Sequence, residues 1–493
     1  MPTPRRPLRA TLAGTLLLLS LSAAGGPAVA AAGIALSDCR LHHPAGVASL
    51  PARCGTLSVP ENPAEPGGTR ITLAVAVVPA LQAAPTEPPL FVIAGGPGQS
   101  ASDFYSAYAP AFAPSGRTRD IVLLDQRGTG GSHALLCDFP DDFDVAAPSP
   151  AVIRELSSKC RLGLPGQPQY YTSSIAVGDL ETVRRALGYA RIDLYGISYG
   201  TRVAQQYVRR YPTRVAAIVL DGVLPPDQVL GLQTPLDAER ALDLMFERCA
   251  ADAACERAFP ALARRFRELL VELGRHPVQV TVPDPASGAP REVGFDRGQL
   301  AGAVRLLNYY TSTTALLPLY IDRATHGDYT PFASELLALG QHLDEQLAYG
   351  LNAAISCTED VPFYGKADRA RLATTYLGSE QLDDLVTLCE GWPRGAVDAD
   401  LFTPLHSAVP ALLLSGEADP VTPPSAGARA AAGFANGLHV VVRGQGHGQL
   451  GVGCAPRVLA RFLSAASTRG LDVSCLAVAA ADPFIIDAAG PAP

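Results

Sequence analysis

Residues 192–201 read IDLYGISYGT, placing Ser198 between Gly196 and Gly200, directly after an apolar run and directly before a helical pattern. That is the setting of a nucleophile elbow, where a serine on a tight strand-to-helix turn projects its hydroxyl clear of a sheet. The flanking glycines leave room for the turn, and a helix beginning near Tyr199 aims its N-terminal N–H groups at the hydroxyl. A chain with 46 glycines in 493 residues also produces Gly-x-Ser-x-Gly by chance, so the placement carries the reading and the motif alone does not.

A serine hydroxyl is a weak nucleophile without a base, and the base needs an orienting acid. In the order Ser, acid, His, the sequence supplies Asp419, after ALLLSGEA and followed by Pro420, and His447, after HVVVRGQG and between Gly446 and Gly448. Each emerges from a loop at the carboxyl edge of a parallel sheet, so three strand ends converge on one site. Glu417 is the alternate acid. Among the rivals, His439 sits inside a strand pattern, His406 lies at a domain junction, and Asp221 in IVLDGV is too close to Ser198 in sequence for the usual third member.

The tetrahedral intermediate of acyl transfer needs two donors for its oxyanion. AGGPGQS, after the apolar residues 90–94, offers backbone N–H groups on a loop that its glycines let approach a substrate. The N–H groups of Gly96 and Tyr199 are the expected donors. In DQRGTGGS, residues 125–132, Asp125 and Arg127 read as holding active-site loops together by charge-assisted hydrogen bonds rather than as catalytic groups.

These residues need a scaffold. PLFVIAGGPG, DIVLLDQRGTG, IDLYGISYG, AAIVLDGV, ALLLSGEADP and LHVVVRGQGHG are short apolar runs that each stop at a Gly-rich or Asp-containing loop. Runs without alternation predict strands covered on both faces, hence a parallel sheet. Helical spacing of Val177, Leu180, Val183 and Leu187, and the pattern TRVAQQYVRRYP after the serine, make this βαβ organisation. The stretch CGTLSVPENPAEPGGTRITLAVAVVPA alternates around a Pro/Gly-rich turn and predicts an antiparallel pair at the sheet edge. From Pro225 to about Phe402 the texture is helical, as where Phe266, Leu269, Leu270 and Leu273 share one face and Gly274 ends the helix. The expected organisation is a leader over 1–30, a core over 31–224, a cap over 225–402 and the rest of the core over 403–493.

Arg5, Arg6 and Arg9 precede the apolar residues 12–24, and the small residues GPAVA end the segment. This is the pattern of an export signal cleaved after Ala30, too short to span a bilayer comfortably. Its removal takes the formal charge from −8 to −11, which argues against nucleic acid and anionic membranes as partners. All ten cysteines follow the leader and fall into five local neighbour pairs. Export makes disulfides the default, each closing a short loop for about 2–4 kcal/mol, although spacing leaves the connectivity open. No Cys-x-x-Cys or histidine cluster is present, so no metal is expected, and acyl transfer through a serine nucleophile requires no organic cofactor.

AGGPGQS, DQRGTGGS, GDLETVRRALGYARIDLYGISYGTRVAQQYVRRYP, ISCTED, SGEADPVTPP and GQGHG together resemble the proline iminopeptidase and tripeptidyl aminopeptidase family of α/β-hydrolases. The likeness covers most of the chain after the leader, with the cap matched only around Cys357. It implies an α/β fold of the α/β-hydrolase type, with a mostly parallel sheet flanked by helices and an inserted, mainly helical cap. It also implies the triad Ser198, Asp419 and His447. Many members carry His before Gly-Gly-Pro-Gly, where this chain has Ala94, a feature closer to the tripeptidyl branch. An aminopeptidase must replace the water lost by a substrate α-ammonium with an anion, and Glu359 and Asp360 in SCTEDVPF are expected in that role. The expected reaction is removal of residues or short peptides from a free N-terminus through an acyl-enzyme. An esterase or other small-molecule hydrolase on the same triad is the alternative, and a binding protein on an inactive hydrolase core is the third reading.

Overall fold

The computed structural model describes residues 33–138 and 149–491; the expected leader and its cleavage point after Ala30 lie outside the described residues. Three strands come first: β1 (Ser37–His42), β2 (Ser49–Pro60) and β3 (Arg70–Val78). The antiparallel pair β2–β3 forms around the Pro/Gly-rich turn, but β1 lies outside it and takes the edge position. The Cys39–Cys54 disulfide ties that edge strand to β2.

The apolar runs become β4 (Leu90–Ile93), β5 (Ile121–Leu124), β6 (Ile192–Ile197) and β7 (Val215–Asp221). After a small hairpin, β8 (Val278–Pro283) and β9 (Pro290–Phe295), come β10 (Ala411–Gly416) and β11 (Gly437–Val442). The main sheet has nine strands in the order β1-β2-β3-β5-β4-β6-β7-β10-β11. It is parallel from β5 to β11 and antiparallel before that.

Every residue of β4, β5, β7 and β10 is buried, as runs without alternation require of strands covered on both faces. Phe91, Val122, Leu194, Ile218 and Leu413 join one core with Val177, Leu180 and Val183 from the helix Ser173–Ala186 and Val203 and Tyr207 from the helix Tyr199–Arg210. Their neighbours Val92, Leu123, Tyr195, Val219 and Leu412 point to the opposite face. There they meet Phe104 and Phe112 of the helix Ala101–Phe112 and Leu459 and Phe462 of the helix Ala455–Ala465. Each such side chain contributes about 1.5–3 kcal/mol when fully buried. β11 departs from the expectation: it is the last strand of the sheet and is only partly covered.

Part of the chain between β7 and β10 builds a separate hydrophobic cluster from Phe246, Phe266, Leu270, Leu300, Val304 and Phe332, whereas Leu351, Ile355, Cys357 and Trp392 of the same segment join the core of Phe91 and Val122. The segment is largely helical, as its periodicity indicates. The helix Leu262–Arg275 buries Phe266, Leu269, Leu270 and Leu273 and runs one residue past Gly274. The β8–β9 hairpin interrupts the helical pattern, and VQVTVP has the period-two alternation of a strand with one face on a core. All ten cysteines pair with their sequence neighbours: 39 with 54, 137 with 160, 249 with 255, 357 with 389 and 454 with 475.

Candidate active site

Ser198 sits at φ 54° and ψ −125°, between the end of β6 and the first turn of the helix Tyr199–Arg210. A side-chain-bearing residue is strained at that positive φ, which identifies a site where the surrounding fold holds the backbone in place. Its flanking glycines are sterically required. A Cβ at Gly196 would lie 2.6 Å from the Gly200 carbonyl oxygen, and one at Gly200 would lie 2.5 Å from the carbonyl oxygens of Ile93 and Ala94. The turn is fixed from β7, because the Ser198 N–H donates to the Asp221 carbonyl at 2.9 Å.

The AGGPGQS loop runs beside this turn, close enough that a Cβ on Gly95 would touch the Ser198 Cβ at 3.1 Å. Gly96 at φ 106° and Gly98 at φ 118° have backbone conformations that favour glycine. The loop is held by a segment distant in sequence: Ala348 N–H donates to the Gly98 carbonyl at 3.0 Å and Asn352 Nδ2 to the Pro97 carbonyl at 2.9 Å. Among the described residues, neither the Gly96 nor the Tyr199 N–H has a hydrogen-bond partner. Gly96 lies on the loop beside the Ser198 turn, and Tyr199 opens the helix that follows it.

His447 Nδ1 bonds Asp419 Oδ2 at 2.8 Å. Asp419 is fully buried and saturated, with Oδ1 accepting the Val421 and Thr422 N–H groups and Oδ2 the Thr422 hydroxyl, each at 2.8 Å. Burial pushes the Asp419 carboxyl up, but the charge and hydrogen bond of His447 and the two backbone donors outweigh it, leaving the group below its usual range. Burial pulls His447 down, and Asp419 and then Asp221 more than offset it, so the imidazolium persists above its ordinary 6.5. Glu417, the alternate acid, instead accepts the Gly444 N–H at 2.8 Å and braces the histidine loop. His439 stays within β11, bonded to the Ser415 hydroxyl at 2.9 Å.

Three contributors were not legible as such. Asp221, fully buried at the end of β7, accepts the Gln449 N–H at 2.7 Å, the Leu450 N–H at 2.9 Å and the Tyr195 hydroxyl at 2.9 Å. With its carbonyl on Ser198, this one residue ties the elbow to the histidine loop. Desolvation first, against these donors and His447, sets its carboxyl at about 6. The cap supplies the other two: Tyr309 accepts the His447 N–H at 2.7 Å, and Arg240 donates to the carbonyls of Glu417 and Asp419 at 2.8 and 2.9 Å. The sequence signal for Asp221 was an acid at a strand end; Tyr309 and Arg240 had none.

Asp221→Asn is therefore expected to lower kcat/KM about 10²-fold, the order of loss when a reacting group is misplaced by about 1 Å. Because Asp221 helps hold the His447 pKa up, and an imidazole can serve as a base only when neutral, the acid limb of the pH profile should move to lower pH. An unchanged profile in a folded variant would count against the tie.

Asp125 and Arg127 organise loops, though through separate partners. Asp125 accepts the Ser102 N–H and hydroxyl and the Gly131 N–H. Arg127 forms a two-toothed pair with Asp179 at 2.6 and 2.9 Å and donates to the Glu61 and Tyr170 carbonyls.

Glu359 and Asp360, expected to anchor a substrate α-ammonium, are already engaged by partners within the protein. Both are 1% exposed on a single wide helical turn, Ser356–Asp360. Asp360 is bonded to Arg202 at 2.8 and 3.1 Å and accepts the Leu230 N–H, so its charge is neutralised within the protein. Glu359 accepts the Ser173 N–H at 2.6 Å and hydroxyl at 2.7 Å, and that hydroxyl meets the Tyr199 hydroxyl, also at 2.7 Å. Arg202, 3.6 Å from Glu359, is shared by the two acids. The group is a buried ionic cluster behind the residue that follows Ser198.

Among the described residues no group of three or more His, Cys, Asp or Glu is placed to hold a metal ion, and no helix is long and apolar enough to cross a membrane.

Residues 88–453 match the sequence profile of the alpha/beta hydrolase fold family. Carboxylesterase B of Mycobacterium tuberculosis is 31% identical over 416 residues, covering 76% of this chain and 77% of that protein. Serine protease Hip1 of the same organism is 26% identical over 436 residues, covering 79% and 81%. Tripeptidyl aminopeptidase of Streptomyces lividans is 28% identical over 211 residues, 39% of each chain.

Proposed function

We propose, on the premise that this chain belongs to the α/β-hydrolase fold family, that it is an exported serine aminopeptidase acting on peptides with a free N-terminus. The observation that supports the hydrolytic part is the buried, fully bonded Asp419 holding His447 Nδ1 at 2.8 Å, on a loop that Asp221 ties to the strained Ser198 turn.

In the reaction, His447 Nε2 takes the proton of the Ser198 hydroxyl as Oγ attacks the scissile carbonyl. The N–H groups of Gly96 and Tyr199 hold the oxyanion. His447 then gives its proton to the leaving amine, and the acyl group stays on Ser198. Water, deprotonated by His447, attacks the acyl carbon and frees Ser198 and the product acid. Asp419 keeps the imidazole in the required tautomer and stabilises the imidazolium. The core, 31–224 and 403–493, supplies these groups, and the cap, 225–402, braces their loops and selects the substrate.

Preference for a free amine follows from charge rather than from direct contact. One guanidinium, Arg202, serves two carboxylates, Glu359 and Asp360. The cluster sets two carboxyls against one guanidinium behind Tyr199; burial pushes the Glu359 carboxyl up, so the cluster's pull on an α-ammonium grows as Glu359 ionises, and the low-dielectric surrounding extends that pull. Relatives named as a tripeptidyl aminopeptidase and a serine protease support the peptidase reading. Export is supported by the five disulfides.

The second reading, an esterase on the same triad, is favoured by the 31% identity to a protein named carboxylesterase B. A panel of aminoacyl and tripeptidyl anilides, their N-acetylated forms and a short acyl ester separates the two. The aminopeptidase reading expects cleavage to need the free amine and Glu359→Gln to narrow that preference. Equal or better turnover of the blocked peptides or the ester would replace it with the esterase reading.

A further inference from the structure

Residues 476–487 cross from the core to the cap and pass beside the loop of His447. The crossing starts in the core, where Cys475 is bridged to Cys454 and Leu476 is buried with Leu459 and Phe462. It ends in the cap. Phe484, the one buried residue between Ala477 and Asp487, enters the cluster of Phe246 and Phe266, with the Arg248 guanidinium 3.9 Å from its ring centre. Two hydrogen bonds flank that anchor: Asp482 accepts the Thr311 hydroxyl at 2.6 Å, and the Ile485 N–H donates to the Ala315 carbonyl at 3.0 Å.

Between its two ends the segment grips the histidine loop. Gln445 Nε2 donates to the Ala480 carbonyl at 2.7 Å, and a Cβ at Gly444 would lie 2.9 Å from the Ala481 nitrogen, so the two backbones pack at a distance that only glycine allows. The cap grips the other half of the same loop through Tyr309. Its carbonyl accepts the His447 N–H at 2.7 Å and would collide with a Cβ at Gly446, and its ring meets the imidazole edge-on with centres 5.4 Å apart. Thr311 and Ala315, which the segment holds, lie just after Tyr309 in the chain. The contacts therefore close a circuit: Ala480 and Ala481 on Gln445 and Gly444, Asp482 and Ile485 on Thr311 and Ala315, and Tyr309 on Gly446 and His447.

We propose that residues 480–485, anchored by Phe484, are a strap that positions the His447 imidazole. This rests on the reading of His447 as the base for Ser198. Phe484 is a positioning residue: it packs in the cap cluster and acts on His447 through Ala480, Ala481 and Tyr309. Without its ring the crossing keeps only hydrogen bonds made by exposed and part-buried residues, for which water competes. The histidine loop is then loosened on both of its gripped sides, and a displacement of about 1 Å at a reacting group lowers turnover about 10²-fold.

The test compares the wild-type protein with Phe484→Ala, with Ile485→Pro, which removes the N–H given to Ala315, and with the conservative Phe484→Leu. On the best anilide of the panel, kcat is expected to fall about 10²-fold in Phe484→Ala and in the same direction in Ile485→Pro. KM should change little, as for a group that bears on the transition state, and Phe484→Leu should restore most of the lost kcat. Fluorophosphonate labelling of Ser198 should slow in step with kcat. The His447 amide should exchange its hydrogen faster in both impaired variants while the amides of β5 to β7 keep their protection. Near-ultraviolet circular dichroism shows which variants fold, and if Phe484→Ala does not, Ile485→Pro decides. Wild-type kcat in the folded variants, a loss confined to KM, or faster exchange spread through the sheet would overturn the proposal. Failure of the reading on which it rests looks different: the wild-type protein itself would carry no adduct on Ser198, while exchange at the His447 amide would still report the strap.

Discussion

Ser198→Ala is expected to lower kcat about 10⁶-fold, the order seen when a triad nucleophile is removed, with binding and the oxyanion donors left to give weak residual catalysis. KM should change little, since the hydroxyl acts in the transition state and not in ground-state binding. The fold should survive and even gain slightly, because the hydroxyl is small and alanine meets the same strained φ of 54°. The same substitution separates this account from the reading of an inactive hydrolase core, which expects no difference between the two proteins. Steady-state kinetics on the best anilide of the panel, with near-ultraviolet circular dichroism as the control, checks it.

Asp419→Asn is expected to lower kcat about 10⁴-fold, the size of effect that follows when a neutral amide replaces a triad carboxylate and favours the wrong imidazole tautomer. Asp419 accepts from His447, from the Thr422 hydroxyl and from two backbone N–H groups. The amide presents a donor to at least one of these donors, so the local network is broken as well as the charge. The pH dependence has a definite sign. Asp419 is the main influence raising His447 above 6.5 against its burial, so its neutralisation lowers that pKa and moves the acid limb of kcat/KM to lower pH. Glu417→Gln, by contrast, should leave the limb in place, since Glu417 faces Gly444 and not the imidazole.

The parts of the site that were legible in the sequence are those fixed by local sterics. Gly196 and Gly200 flank Ser198 because a Cβ at either position would collide with backbone, and such a constraint is written into consecutive residues. The strand runs were legible because two-sided burial removes alternation, and β4 to β7 and β10 have it. Only β11, at the edge, breaks the inference from apolar run to interior strand.

What was not legible depends on contacts between distant residues. Glu359 and Asp360 read as an anchor for a substrate α-ammonium because Arg202, which pairs with Asp360, lies 158 residues away in sequence. Arg127 was assigned a structural role from its charge, but its partner Asp179 could not be named before the helix Ser173–Ala186 was placed against the DQRGTGGS loop. Asp221 was set aside by its closeness to Ser198 along the chain. In the fold that same closeness puts its carbonyl on the Ser198 N–H while its carboxylate reaches the loop after His447. The bracing by Tyr309 and Arg240 arises only when the cap meets the core.

The most direct test of the central claim, that Ser198 is a nucleophile activated by His447 and Asp419, is to treat the folded protein with a fluorophosphonate and map the adduct by peptide mass spectrometry. The account predicts one adduct per chain, on Ser198, forming more slowly as pH falls through the raised His447 pKa and absent from Ser198→Ala. A folded protein that hydrolyses its substrate but carries no adduct on Ser198, or carries it on another serine, would contradict the account.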